Sequence, residues 1–469
     1  MSLSRYPSTW KSLQQVKQAP FLFATRWGPQ QRFVSVLSKT KTRTLGKTQG
    51  RVVILGSGWG GYQLLRKMNK KDYEVTVVSP RNYFVFTPLL AGTTVGTLEY
   101  RCITEPVRQY SKDIDYHQAY VESIDPEKQT IRCSSNLDDN RGQLFDLDYD
   151  KLVICVGAYS NTFGTKGVKE HGIFLKDISD AKKIRNRVLE CFEYAAQPGV
   201  SPKEKAAKLH FAIVGGGPTG IEFSAELCDF ISEDMSRLYP ELVKDTRISV
   251  YDVAEHILCS FDAKLSEYAT KKFTRRGIQI KTGIHVTEVG HDFLDSKEEG
   301  KVPCGMVVWN TGITANPLVE TLDVAKDERS HRILTNDYLQ VMDKSNNPYP
   351  NVYALGDCST IQDNALPATA QVANQKALYL SKVLNDQIKG SGVVKPFSFR
   401  NLGAMAYIGK WQAVVDMSPV HKKAKEGGSL AWFFWRSSYL SMTVSFRNKM
   451  LIPMYWFLTY WTGRDVSKL

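Results

Sequence analysis

No two cysteines of this chain stand close together. Cys102, Cys133, Cys155, Cys191, Cys228, Cys259, Cys304 and Cys358 never fall at C-x-x-C spacing, and no Cys/His cluster has zinc or iron–sulfur spacing. No metal ligand is therefore assigned. Free thiols in a reducing compartment are the plain reading. Acids are missing from one end: residues 1–50 carry nine Lys/Arg and no Asp or Glu. Beyond that end the formal charge drops from +13 to +4, which gives no argument for nucleic acid as a partner. Long hydrophobic runs are also missing. No stretch of 18 clean apolar residues occurs, so no transmembrane helix is expected. There is no D-x-[DN]-x-[DN]-G loop, so no calcium control is expected.

What is present fits a large globular chain. A length of 469 residues implies two to four domains. Hydrophobic content of 42% against 23% charged allows a sizeable core. The acid-free start is rich in Ser, Thr, Gln and Arg and has no apolar h-region. This pattern predicts a mitochondrial transit peptide over 1–48; a basic disordered tail is the bland alternative.

Two glycine loops carry the chemistry. Residues 51–61, RVVILGSGWGG, are an apolar strand that breaks into G-x-G-x-x-G before a helical stretch. Gly56 suits the tight turn, Gly58 the approach of a pyrophosphate, and Gly61 the close packing of helix on strand. The helix N-terminus then offers its N–H groups to phosphate. An acid usually ends the second strand of such a unit, where it binds ribose. Here Ser79 stands there, followed by Arg81. The second loop, FAIVGGGPTG at 211–220, repeats the pattern with Gly215, Gly217 and Gly220. Its next strand ends in Asp252, an acid suited to the 2′-hydroxyl of NADH and repelling the extra phosphate of NADPH. The stretch SEDMSRLYPELVKDT lengthens the interval between Gly220 and Asp252. Two such loops imply two dinucleotides.

The end of the chain has a different character. From Gly428, Trp432, Trp435, Tyr439, Met442, Phe446 and Met450 step by three or four, which predicts one helical stripe. Arg436, Arg447 and Lys449 interrupt any spanning segment, and Pro453 is expected to break the helix. Aromatics with flanking basic residues suit a helix lying in a membrane surface; a dimer interface or a core helix is the alternative.

The motifs GSGWGG, SPRNYFVFTPLLAGTTVGT, GGGPTGIE, VYALGDCS, PATAQVANQ and NLGAMAYIG, with the aromatic C-terminus, cover nearly everything beyond residue 50. With them the chain resembles the type II NADH dehydrogenases of mitochondria, of fungal type. The resemblance implies an α/β fold of two Rossmann-like dinucleotide-binding domains, flavin disulfide reductase-like, with the FAD domain interrupted by the NAD domain, and C-terminal membrane-docking amphipathic helices. The expected domains are 49–175 (first FAD part), 176–312 (NADH), 313–395 (second FAD part with a quinone-site helix) and 396–469 (membrane anchoring and dimerisation). LVICVGAYSN (152–161) and MVVWNTGITANP (306–317) match the chain crossings between the two domains, which puts Gly157 and Gly312 beside the cofactors.

The same resemblance assigns non-covalent FAD to the first loop and NADH to the second, with Asp357 on the flavin nucleotide. Glu222, on the first helical turn after the second loop, is implied near the flavin or nicotinamide. The dipole of a helix N-terminus is a sufficient structural reason for an acid there. The ubiquinone head is implied near Gln371 and Gln375, on one helical face at i, i+4; solvation is the ordinary reading of two such glutamines. Asn374 stands where relatives often carry His. The redox thiols of the disulfide reductases are missing, which removes glutathione-reductase-like and thioredoxin-reductase-like readings, and Cys155 and Cys358 are assigned to packing. The resemblance implies a peripheral homodimer on the inner mitochondrial membrane. The lack of a second apolar segment after the N-terminal one favours the matrix side. Two alternatives stay open: an apoptosis-inducing-factor-like NADH-binding flavoprotein, and a ferredoxin or rubredoxin reductase.

Overall fold

Runs of apolar, largely β-branched residues dictate the two main sheets. The computed structural model describes residues 50–390, 394–421 and 424–468; the transit peptide expected over 1–48 lies outside the described residues. Val52 to Leu55 are buried, as a central parallel strand with covered faces requires. The strand Arg51–Leu55 pairs in parallel with Glu74–Val78 on one side and Lys151–Ile154 on the other. Ile114–His117 extends one edge. On the other side Lys151–Ile154 pairs in parallel with Pro348–Ala354, which returns from far downstream, Val352 lying beside Leu152. The first sheet is therefore built from two separated pieces of chain.

The second parallel sheet lies between those pieces in sequence. Its order is Ile173–Phe174, Met306–Trp309, His210–Val214, Arg247–Asp252 and Gln279–Thr282. Its central strand His210–Val214 is buried at every position. The two crossings expected from sequence run side by side, Ala158–Ser160 antiparallel to Ile313–Ala315. Ile173–Phe174 falls in the segment expected to belong to the first domain, yet it pairs with Val308 and Trp309 of the second sheet. The boundary thus comes earlier than 175, because strand pairing decides membership. SEDMSRLYPELVKDT folds as helical turns: a π-helical segment Ile231–Met235 continues the helix Pro218–Phe230, and Ser236–Leu238 and Pro240–Val243 follow.

The C-terminal region holds more than helices. A three-stranded antiparallel sheet, Ala404–Gly409, Gln412–Asp416 and Lys425–Gly428, precedes them. The helices are Ser429–Met442 and Phe446–Thr462. Pro453 does not break the second one; it lies inside it. The break comes earlier, where Thr443 leaves helical geometry and the Ser445 side chain caps the next helix at the Asn448 N–H. Tertiary packing holds the helix across the proline. Ile452 is buried, and the Asn448 amide bonds the Thr104 carbonyl at 3.0 Å and Glu105 at 2.9 Å. Loss of one backbone hydrogen bond at Pro453 is a local cost beside this anchoring.

The expected single stripe is also split. Trp435 is buried at 6% exposure, with Trp432 and Tyr439 packed against the core. Met442, Phe446 and Met450 stand out, together with Leu430, Phe433, Phe457 and Trp461. No described helix is long and apolar enough to cross a membrane.

Candidate active site

Each glycine loop folds as its spacing requires. In the first, a Cβ on Gly61 would lie 2.0 Å from the Gly56 carbonyl oxygen, so only glycine lets the helix Trp59–Lys67 pack there. Gly58 has nothing within 4 Å of its missing side chain, which leaves the approach to the helix N-terminus open. The second loop repeats this: Gly220 meets the Gly215 carbonyl at 2.0 Å, and Gly217 faces open space. Both cradles fit the phosphates of a dinucleotide.

The residues expected to read the riboses have structural partners of their own. Ser79 is buried, its hydroxyl 2.9 Å from that of Ser57 in the first loop. The Arg81 guanidinium pairs with Asp177 at 3.0 Å, and Asp177 caps the helix Ile178–Ala196. Asp252 ends its strand beside the second loop. One of its oxygens accepts from the Gly216 N–H at 2.5 Å and the other from the Ala254 N–H at 2.8 Å. Its carboxylate is thus fixed in place by two backbone donors.

Asp357 and Gly312 come together where the sequence keeps them apart. Both line a cavity of about 420 Å³ with Ala158, Asn310, Arg332 and Leu366. Gly157, at φ +72°, immediately precedes the crossing strand. Burial pushes the Asp357 carboxyl up, while Lys176 and Arg332 pull it back down. Lys176 also donates to the Ala158 carbonyl. Asn310 Nδ2 and Thr311 Oγ1 are buried without a protein partner, close to Gly215. Buried polar groups in native sites are normally satisfied, so these orphaned atoms fit a bound nucleotide. The sequence offered no periodic signal for them.

A second cavity, of about 400 Å³, lies between the helix Pro218–Phe230 and the C-terminal region. Glu222 lines it. The helix begins at Pro218, so Glu222 stands in its second turn rather than its first. Burial, not the dipole, sets its state: it pushes the carboxyl up to about 8 against two hydrogen bonds. Those bonds reach the same oxygen, from the Tyr407 N–H at 3.2 Å and the Trp435 indole N–H at 3.3 Å. One turn on, Glu226 accepts from the Thr97 hydroxyl at 2.6 Å. Arg436 projects among Trp456, Trp432 and Trp411 at 3.9, 4.6 and 5.7 Å from their ring centres. Trp411 and Tyr460, also in the lining, are exposed, so the cavity reaches the surface. Sequence reasoning placed Trp435 on the membrane side, gave Arg436 only the part of interrupting a spanning segment, and assigned nothing to Tyr407 or Glu226. Only Glu226 had a local signal, its i+4 spacing from Glu222.

Gln371 and Gln375 are partly exposed, and neither lines these cavities. Gln371 donates to the Gly403 carbonyl at 3.3 Å and accepts from the Leu402 N–H at 2.9 Å. Gln375 donates to the Arg400 carbonyl at 2.8 Å and accepts from the Arg400 N–H at 3.0 Å. Both ends of each amide thus clasp the backbone that leads into the strand Ala404–Gly409, which carries Tyr407.

Comparison with known proteins agrees with this arrangement. The family described as pyridine nucleotide-disulphide oxidoreductase matches residues 50–377, and the NDH2 C-terminal domain matches 401–465. The chain is 42% identical to a probable NADH dehydrogenase of Dictyostelium discoideum, covering 89% of this chain and 91% of that one. It is 37% identical to an external alternative NAD(P)H-ubiquinone oxidoreductase of Solanum tuberosum mitochondria, covering 89% and 90%. A solved structure of NDH2 from Plasmodium falciparum in complex with NADH superposes with a TM-score of 0.83 at 28% identity, covering 89% of this chain and all of that one. Two interleaved nucleotide cradles, a buried carboxyl at an aromatic cavity and matches along nearly the whole described chain place this protein in the alternative NAD(P)H-ubiquinone oxidoreductase, or type II NADH dehydrogenase, family.

Proposed function

We propose that this chain oxidises NADH through non-covalent FAD and reduces ubiquinone at the inner mitochondrial membrane without pumping protons. The observation that carries the reading is the cavity that runs from buried Glu222 to the exposed aromatics of the C-terminal helices. A quinone is an apolar ring with two carbonyls, and it is dissolved in a bilayer. A cavity walled by tryptophans with a protonated carboxyl inside suits the ring. The exposed face of Leu430, Phe433, Phe446, Phe457 and Trp461 suits the bilayer.

The loop Gly56–Gly61, Ser79, Arg81, Gly157 and Asp357 would hold FAD. The loop Gly215–Gly220, Asp252 and Gly312 would hold NADH. FAD accepts a hydride and releases electrons in pairs, which is the chemistry this conversion needs. The chain's own residues position and protonate. Glu222 holds a proton at its carboxyl below about pH 8, and Tyr407 and Trp435 fix that carboxyl. Gln371 and Gln375 act one step back, by holding the strand that carries Tyr407. Replacing both with Leu is expected to raise the quinone KM several-fold with the NADH KM unchanged; equal effects on both would count against this role.

Asp252 sets nucleotide choice. A 2′-phosphate would meet its fixed negative charge, a repulsion of up to about 4 kcal/mol at a few ångströms in a partly screened site. Asp252→Ala should therefore raise kcat/KM for NADPH relative to NADH by about tenfold or more. An unchanged ratio would remove Asp252 from this role.

Placement in mitochondria follows the relatives and the basic N-terminal segment. Internal and external Solanum tuberosum relatives are about equally similar, at 38% and 37%, and the matrix side is the face we propose. A homodimer through the C-terminal region belongs to the same reading.

The deciding experiment is stopped-flow absorbance of the FAD-loaded protein. NADH should bleach the flavin, and a short-chain ubiquinone should then restore it rapidly. A reduced flavin that persists in the presence of quinone would overturn the proposal and favour the interaction-protein alternative.

A further inference from the structure

In the proposed reaction, NADH, one proton and quinone give NAD⁺ and quinol. The hydride brings two electrons and one hydrogen, so the second hydrogen of each quinol enters as a proton from water. Glu222 lies at a buried wall of the cavity, and a proton reaching it needs a route. We propose that Glu226 is the relay that carries this proton from the surface at Glu233 to Glu222. The inference rests on the proposed function and assigns a further residue to its site.

Four acids share one helical face. Glu222, Glu226, Asp229 and Glu233 follow one another at i, i+4, i+7 and i+11 along Pro218–Phe230 and the π-helical turn Ile231–Met235, and all line the one cavity. Their partners separate their roles. Asp229 is engaged by Arg276, by the Tyr407 hydroxyl at 2.8 Å and by the Lys410 N–H at 3.2 Å, and with its oxygens taken up by these partners it shapes the cavity wall. Glu233 is half exposed and bound to Arg464 at 2.8 Å, which puts it at the entrance.

Glu226 is buried between these points. One oxygen accepts from the Thr97 hydroxyl at 2.6 Å. Thr97 in turn accepts from Arg464 Nε at 2.9 Å, and Arg464 reaches Glu233. A hydrogen-bonded chain therefore links the relay to the entrance. Arg464 does not titrate; it holds the hydroxyl and the entrance acid in line while water carries the proton. The other oxygen of Glu226 packs beside Gly92, and Glu226 and Glu222, one helical turn apart, both line the cavity through which the proton passes. Burial, with Asp229, pushes the Glu226 carboxyl above its ordinary value against Arg464, the Thr97 hydroxyl and Arg436, which is the direction an acid that carries protons near neutral pH needs.

The test uses the full-length FAD-loaded protein and its two half-reactions. In Glu226→Gln, NADH should still bleach the flavin. Reoxidation by a short-chain ubiquinone should slow about tenfold or more, with a larger solvent deuterium isotope effect. Imidazolium in the buffer should restore part of the rate. Thr97→Val should slow the same step less, also with a raised isotope effect, and Glu226→Asp should retain more activity than Glu226→Gln. Reoxidation of Glu226→Gln at the wild-type rate would overturn the relay. A slowed step with an unchanged isotope effect and no rescue would do the same, since it marks a packing role only. Wild-type protein that quinone fails to reoxidise would instead sink the proposed function.

Discussion

Glu222→Gln should slow ubiquinone reduction about 10²-fold while NADH still reduces the flavin. Gln keeps the size of the side chain and the hydrogen bonds from Tyr407 and Trp435, but it carries no transferable proton. In the wild type the carboxyl is held up to about 8 by burial. Its proton-bearing form therefore dominates at neutral pH and is lost as pH rises through about 8. Quinone reduction in the wild type should fall over that limb, and the slow residual rate of the variant should not.

Stability gives an independent check on the same group. Between its ordinary value of 4.5 and about 8, the unfolded chain ionises Glu222 while the folded protein keeps it protonated. The folded state then binds more protons, so this group lowers stability progressively as pH rises through the window. Glu222→Gln removes that loss. Its urea midpoint relative to wild type should increase from pH 5 to pH 8.5. A constant difference would mean that the carboxyl is not held protonated by the fold.

Exchanging Phe433, Phe446, Phe457 and Trp461 together for Ser should release the protein from liposomes. These side chains are 62–79% exposed, so the change opens no cavity in the core. Each large apolar side chain contributes on the order of 1–2 kcal/mol when taken out of water. Four of them give a loss of membrane affinity of roughly 10³-fold or more. Flavin content and turnover with a water-soluble quinone should be retained, and turnover with bilayer-dissolved quinone should be lost. Continued liposome binding with a shift from dimer to monomer would identify the face as a subunit interface instead.

Much of this site was legible in local spacing. Asp357 and Glu222 came with the family resemblance, while the two G-x-G-x-x-G loops and the strand-end acid Asp252 sit in short motifs. The reason is that a tight turn, a close helix–strand contact or a strand end is decided by residues within a few positions of each other. Contacts over long separations were not legible. Nothing near Trp435 shows that its indole turns inward to Glu222, 213 positions away, instead of joining Met442 and Phe446 on the exposed face. Nothing in AQVANQ shows that both glutamines clasp the 400–403 backbone. Pro453 is tolerated because Asn448 and Ile452 anchor its helix to distant partners. Local sequence thus determined the cradles, and the family resemblance pointed to the buried acid. Only tertiary packing decided which aromatics wall the cavity, which face the surface, and how strongly the acid holds its proton, because burial is a property of everything that surrounds a group.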